Sequence, residues 1–162
     1  MPTSHVNLAN SESRIFILSI NDDAILNMAS QIRLPRDSFI FHTSGTVGLD
    51  ALSEIQAKRG ILYPLQTFTK GQMISFDKVP LLIEGDDLTT SGVLFELGES
   101  ISEQVLLATS EERRQLHVAA VFASNFTNRM LAASQDILSS TSLDLDMLKP
   151  LVNQSIKNAF QM

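Results

Sequence analysis

The sequence predicts an α/β protein, a mostly parallel sheet to about Leu107 followed by a domain built only of helices. Three observations carry this. Short runs rich in Ile, Leu and Phe recur between stretches of helical period, the alternation shown by parallel sheets with crossover helices. Two of those runs open into small and polar residues, His42-Thr43-Ser44-Gly45 and Gln66-Thr67, where open α/β sheets place their ligands. From Ala108 onward the apolar residues keep only a helical spacing, which sets the domains at 1–107 and 108–162.

Taken in order, residues 1–13 are polar and without period, and are expected to be mostly irregular. Arg14 to Ile20, rich in isoleucine, suits a strand buried on both faces. Asn21-Asp22-Asp23 can cap the helix that follows. Its Ile25, Met28, Ala29 and Ile32 fall at i, i+3, i+4 and i+7 and form one buried face, and Pro35 ends it. Phe39-Ile40-Phe41 is a second buried strand. A helix from Leu49 to Lys58 is expected next, with Leu49, Leu52 and Ile55 inward and Gly60 as its stop. Ile61-Leu62-Tyr63 is a third strand. Leu81-Leu82-Ile83, after Pro80, is a fourth, closed by the turn Glu84-Gly85-Asp86. Thr90 is expected to cap a helix that turns Val93, Leu94 and Leu97 inward, and Gln104 to Leu107 to form a last strand. A final helix from near Asp146 carries Leu148, Val152, Ile156 and Phe160 as its stripe, with Pro150 in or just past its first turn.

The totals remove several classes of function. A chain of 162 residues with 44% hydrophobic content suffices for one large domain or two small ones. A net charge of −6, with no Lys/Arg cluster beyond a pair, argues against a nucleic-acid or anionic-membrane surface. With no cysteine, disulfides, thiolate metal sites and a thiol nucleophile are excluded. Three histidines far apart make a metal site unexpected. The first residues lack the apolar core of a signal peptide, and no apolar window is long enough to span a bilayer. A cytoplasmic location without membrane association is therefore expected. No G-x-S-x-G, H-E-x-x-H or Walker loop is present.

The polar residues with the most unusual setting lie between Glu111 and Ser134. Thr109 and Glu112 read as a capping box that starts this helix. His117, Val121, Ser124 and Asn128 recur at i, i+4, i+7 and i+11, with Asn125 beside them. Leu116, Ala119, Ala120, Phe122, Ala123 and Phe126 surround that stripe, so burial on more than one side is expected. Two readings are open. The stripe either makes structural hydrogen bonds inside a core or dimer helix, or it lines a cleft with His117 as proton donor or acceptor and Asn125 or Asn128 as orienter. Ser44-Gly45-Thr46-Val47-Gly48 is either a flexible strand-to-helix turn or, through the amides that follow it, an anion site. His42 is a hydrogen-bonded turn residue or a ligand contact, and Gln66 and Thr67 carry the same pair of readings. Lys70 reads as a solvated turn lysine, and Asp22 and Asp23 as helix caps.

Four motifs occur together and in order: His42-Thr43-Ser44-Gly45, Tyr63-Pro64-Leu65-Gln66-Thr67-Phe68, Glu84-Gly85-Asp86, and the run from His117 to Asn125-Phe126. From Arg14 to its end the chain resembles proteins that join a Rossmann-like front to a helical C-terminal domain of unknown function. These are relatives of pyrroline-5-carboxylate reductase, deazaflavin-dependent NADP oxidoreductase and the 6-phosphogluconate dehydrogenase group. The resemblance implies a partial Rossmann-like sheet, NADP or NAD as cofactor, and hydride transfer to or from a small-molecule substrate in the cleft between the α/β and helical domains. It also implies a homodimer through the C-terminal helices. By it His117, Asn125 and Asn128 are the catalytic candidates. His42, Thr43 and Ser44 then lie near the nicotinamide, and Gln66 and Thr67 bind substrate across the cleft. A ligand-binding or dimerisation module without catalysis, using the polar stripe as interface, is the alternative. Two features depart from the pattern. No glycine-rich pyrophosphate turn precedes Arg14, as though the first three strands were missing, so a fragment or a sheet completed by another chain is expected. Position 63 is Tyr, where many relatives have His.

Overall fold

Branched and aromatic runs form the strands, where side chains crowded at Cβ pack well on a pleated surface. In the computed structural model, which describes residues 6–161, β1 (Ile15–Leu18), β2 (Phe39–His42), β3 (Lys58–Pro64), β4 (Leu81–Gly85) and β5 (Val105–Leu107) lie side by side in sequence order. The pairings β1–β2, β2–β3 and β4–β5 are parallel and β3–β4 is antiparallel, giving the mostly parallel sheet that the alternation predicts. The expectation of an irregular start falls partly on residues 1–5, outside the described residues. Just beyond them Asn7 makes an isolated bridge to Arg33.

Side chains alternate faces along each strand, so neighbouring residues feed different cores. Ile40 points to a cluster with Leu18, Ile25, Ala29, Ile32, Leu52 and Ile55, supplied by α1 (Asp22–Gln31) and the turn after β2. Phe41 points the other way, to Leu62, Leu81, Ile83 and Leu94 under α2 (Leu88–Glu99). The register pairs His42 with Ile61 and Ile61 with Glu84, which sets these three side chains in one row across the face opposite α2.

Two local expectations are corrected. The helix expected from Leu49 to Lys58 is a single 3-10 turn, Leu49–Leu52, and Lys58 already begins β3. Leu49, Leu52 and Ile55 are spaced by three, which three residues per turn satisfies as well as an α-helix does. Gly60 therefore sits inside a strand instead of stopping a helix. A Cβ there would stand 2.6 Å from Leu94 Cδ1, so the glycine admits α2 close to the sheet. Thr90 does not cap α2 either. Asp87 does, its carboxylate accepting the Thr90 N–H at 2.6 Å, while the buried Thr90 hydroxyl donates to Asp86 at 2.8 Å.

The helices that follow are α3 (Ser110–Ala120), a π-helical stretch Val121–Phe126, α4 (Thr127–Leu138), a 3-10 turn Leu145–Leu148 and α5 (Lys149–Ala159). The capping box forms: the Thr109 N–H donates to Glu112 Oε2 at 2.9 Å and the Glu112 N–H to Thr109 Oγ1 at 3.2 Å. Pro150 falls in the first turn of α5, where no intrahelical bond is lost. The last helix starts at Lys149 because residues 145–148 wind more tightly. The structure separates into two compact units, Met1–His117 and Val118–Met162. Burial of the central helix on more than one side is not found. Arg113 is the buried residue of α3, and the π-helical stretch and α4 have none, with Phe122 63% and Met130 59% exposed. An apolar helix becomes buried only where another surface covers it.

Candidate functional site

The site is built around the loop 43–48 that leaves β2. His42, the last residue of that strand, is fully buried. Its Nδ1 accepts the Ser44 N–H at 3.2 Å, so its Nε2 carries the proton and faces the Gly48 carbonyl at 3.4 Å. Both nitrogens are thus used within the loop. Burial, together with the nearby Arg113 cation, lowers the His42 pKa to about 4, and the ring is neutral.

Ser44 Oγ closes the next turn. It accepts the N–H groups of Thr46 at 3.1 Å and Val47 at 2.9 Å, and donates to Asp22 Oδ2 at 2.7 Å. Thr46 Oγ1 donates to the same carboxylate oxygen at 2.6 Å. Asp22, read from the sequence as a helix cap, instead ties the loop after β2 to the start of α1. The amides of Thr46 and Val47 are spent on Ser44, and the element that follows is only a four-residue 3-10 turn. Two of the amides that an anion at 44–48 would need are therefore already taken.

One face of α3 grips the loop from the other side. Ser110, Arg113 and His117 lie at i, i+3 and i+7 and so share that face. Arg113 is 1% exposed; its Nη1 pairs with Glu84, and its Nη2 donates to the Val47 carbonyl at 2.7 Å and to Ser110 Oγ at 3.2 Å. Ser110 Oγ donates in turn to Glu84 Oε2 at 2.7 Å, and among the buried side-chain atoms of the described residues Arg113 Nε alone has no hydrogen-bond partner. Two turns along, His117 Nδ1 lies 2.9 Å from the Tyr63 hydroxyl, with the ring centroids 5.9 Å apart. Burial, with the Asp22 carboxylate adding to it, raises the Tyr63 pKa, so the phenol keeps its proton. Gly45 packs against this pair. A Cβ there would lie 2.5 Å from His117 Nδ1 and 2.8 Å from Tyr63 Cζ.

The structure thus gathers His42, Ser44 and His117 around one loop, and Thr43 is half-buried within it. Gln66 and Thr67 are exposed just past β3, and the Gln66 side chain accepts the Thr67 N–H at 2.8 Å. Asn125, in the π-helical stretch, and Asn128, in α4, are exposed residues of the second unit. The expected even stripe is interrupted there, because π-helical winding departs from the 3.6-residue period. Sequence reasoning assigned no role to Tyr63, Glu84, Ser110 or Arg113. The signal for the last two was present, since they share the α3 face of His117.

A Rossmann-like, mostly parallel sheet whose strand-end loop is held by the first helix of an all-helical C-terminal part defines the class of protein. Residues 79–162 match the domain of unknown function DUF2520, and the chain belongs to that family. None of the curated proteins compared matches it. Among solved structures it is similar to a candidate NADP oxidoreductase from Bacteroides fragilis, with 27% identity and a TM-score of 0.82, over 98% of this chain and 62% of that one. A Thermotoga maritima protein matches at 24% identity and TM-score 0.72, over 90% of this chain and 58% of that one. A reductive aminase from Aspergillus terreus, crystallised with NADPH, matches at 10% identity and TM-score 0.63, over 92% and 54%. The last two likenesses show a common fold. The chain spans less than two thirds of the length of each. Among the described residues no helix is long and apolar enough to cross a membrane.

Proposed function

We propose that this protein is part of an NADP- or NAD-dependent oxidoreductase acting on a small molecule, with His117 exchanging the proton that accompanies hydride transfer. The observation that carries this reading is the Tyr63–His117 pair, 2.9 Å apart and packed on the strand-end loop through Gly45. The name of the Bacteroides fragilis structure and the NADPH held by the aminase support the cofactor class. A bound nicotinamide would supply or accept the hydride. The strand ends fit its nicotinamide end, with the half-buried Thr43 as a polar residue there. The pyrophosphate end finds no matching glycine-rich turn, and in the 44–48 loop the amides of Ser44, Thr46 and Val47 are already taken by His42 and by Ser44 Oγ. His42 and Ser44 hold the loop in shape. Asn125 and Asn128 orient substrate in this reading, and Gln66 and Thr67 contact it.

Calorimetric titration with NADPH and with NADH tests the proposal. Binding in the micromolar range is expected, and absence of heat with both would remove the oxidoreductase reading for this chain. A His117→Gln variant with full turnover of an identified substrate would remove His117 from its role.

The reading includes a homodimer through the helical unit. No described residue of Val118–Met162 is buried, and Phe122, Phe126, Ile137, Leu151 and Phe160 are 50–89% exposed. Apolar surface of this kind marks an interface, and a second copy supplies a like surface. Sedimentation equilibrium should give twice the mass of one chain, and a monomer at tens of micromolar would refute it.

A further inference from the structure

We propose that Tyr63 is a positioning residue for proton transfer, holding Nδ1 of His117 so that Nε2 is the nitrogen that exchanges a proton with substrate. This rests on the oxidoreductase reading above and assigns a role to a residue that reading leaves unused. The argument begins with the chemistry of the phenol. Its hydroxyl donates to Nδ1 of a neutral imidazole and, by turning, accepts from Nδ1–H of an imidazolium. Tyr63 therefore partners Nδ1 in both charge states of His117, and the ring need not swing between them. The distance of 2.9 Å is that of a formed hydrogen bond.

The surroundings fix the pair from both sides. Tyr63 belongs to β3 and is 9% exposed, packed with Ile61 and Leu82. His117 belongs to α3, whose previous turns are anchored by the Arg113–Glu84 ion pair and the Val47 carbonyl. Gly45 lies against both rings, leaving no room for a side chain at that position. A ring so held presents one nitrogen to the strand-end loop's neighbour and keeps the other for exchange. A bound reduced nicotinamide would supply hydride to the carbon of a carbonyl or imine, and the electron pair left on the heteroatom would then need one proton, which His117 supplies. That heteroatom takes the Nε2 proton of the imidazolium; the ring first left behind holds Nδ1–H toward Tyr63 Oη, and exchange with solvent returns it to the Nε2–H form, in which the phenol again donates to Nδ1.

Long-range proton–nitrogen correlation NMR on the labelled full chain tests this without cofactor or substrate. At a pH where His117 is neutral, Tyr63 donates, and the ratio of the Nε2–H to the Nδ1–H form should be about fivefold higher than in Tyr63→Phe, the bias that one neutral hydrogen bond supports. Gly45→Ala removes no polar group but displaces the imidazole, and should lower the ratio in the same way. An unchanged ratio in either folded variant, or a freely averaged pair of nitrogens in the wild type, overturns the proposal. If both variants unfold, the wild-type spectrum still decides. Failure here would leave NADPH binding untouched, whereas failure of NADPH binding would remove the oxidoreductase reading and leave the tautomer result standing.

Discussion

Lowering the pH from 7 to 5 should destabilise the α/β unit by about 2 kcal/mol through His42 alone. Its pKa is 6.5 in an unfolded chain and about 4 in the folded one, because burial disfavours the imidazolium and Arg113 adds to the effect. As the folded value is the lower, the unfolded chain takes up the proton first when the pH falls. Stability is therefore complete above about 6.5, is lost progressively as the pH drops toward 4, and changes no further through this group below that. At about 1.4 kcal/mol per pH unit the whole gap is worth about 3 kcal/mol, of which about 2 kcal/mol is gone by pH 5. Urea unfolding of the wild type and of His42→Asn, measured between pH 7 and 4.5, isolates the effect. Groups common to both chains cancel to first order. The advantage of the wild type over the variant should shrink by about 2 kcal/mol between pH 7 and 5. A difference that stays constant with pH, or a His42 imidazole that titrates near 6.5 in the folded chain, would refute the reasoning.

Gly60→Ala should destabilise by about 1–3 kcal/mol, the usual cost of overpacking, because its Cβ would meet Leu94 at 2.6 Å and the Glu84 carbonyl at 3.0 Å. A thermal melt unchanged from wild type would show that α2 yields without cost. Arg113→Leu leaves Glu84 without its cation and the Val47 carbonyl without its donor, and should cost about 3–5 kcal/mol. Adding Glu84→Leu should recover part of that loss, and strict additivity in denaturant unfolding would show that the two do not act as one network.

The strands were legible because each is short, apolar and bounded by turn residues, so that Phe39–His42 and Leu81–Gly85 could be placed within a residue or two. The Leu49–Lys58 stretch was misread because three inward residues spaced by three fit both a helix and a 3-10 turn followed by a strand. Nothing local decides between them. The parallel pairing of β3 with β2 does, by drawing Lys58 opposite Phe39. The same holds for α2: Asp87 and Thr90 are both good capping residues, and the choice falls to Asp87 because Thr90 is needed inside, bonded to Asp86.

The site was legible only where a residue type is unusual by itself. His42 and His117 stand out in any apolar run, and a strand end is a sound place to look for a ligand. What the sequence hides is who meets whom. Arg113 and Glu84 lie twenty-nine residues apart and look like surface charges, yet the row His42–Ile61–Glu84 brings the carboxylate beneath α3, where the guanidinium is 1% exposed. Burying a cation so fully is costly unless a carboxylate and a carbonyl meet it, and both do. That cost is what makes the contact informative: an arginine that merely decorated α3 would stay in water. Holding it inside fixes α3 on the 43–48 loop, and only a fixed α3 can set His117 against Tyr63 with a glycine's thickness between them and the loop.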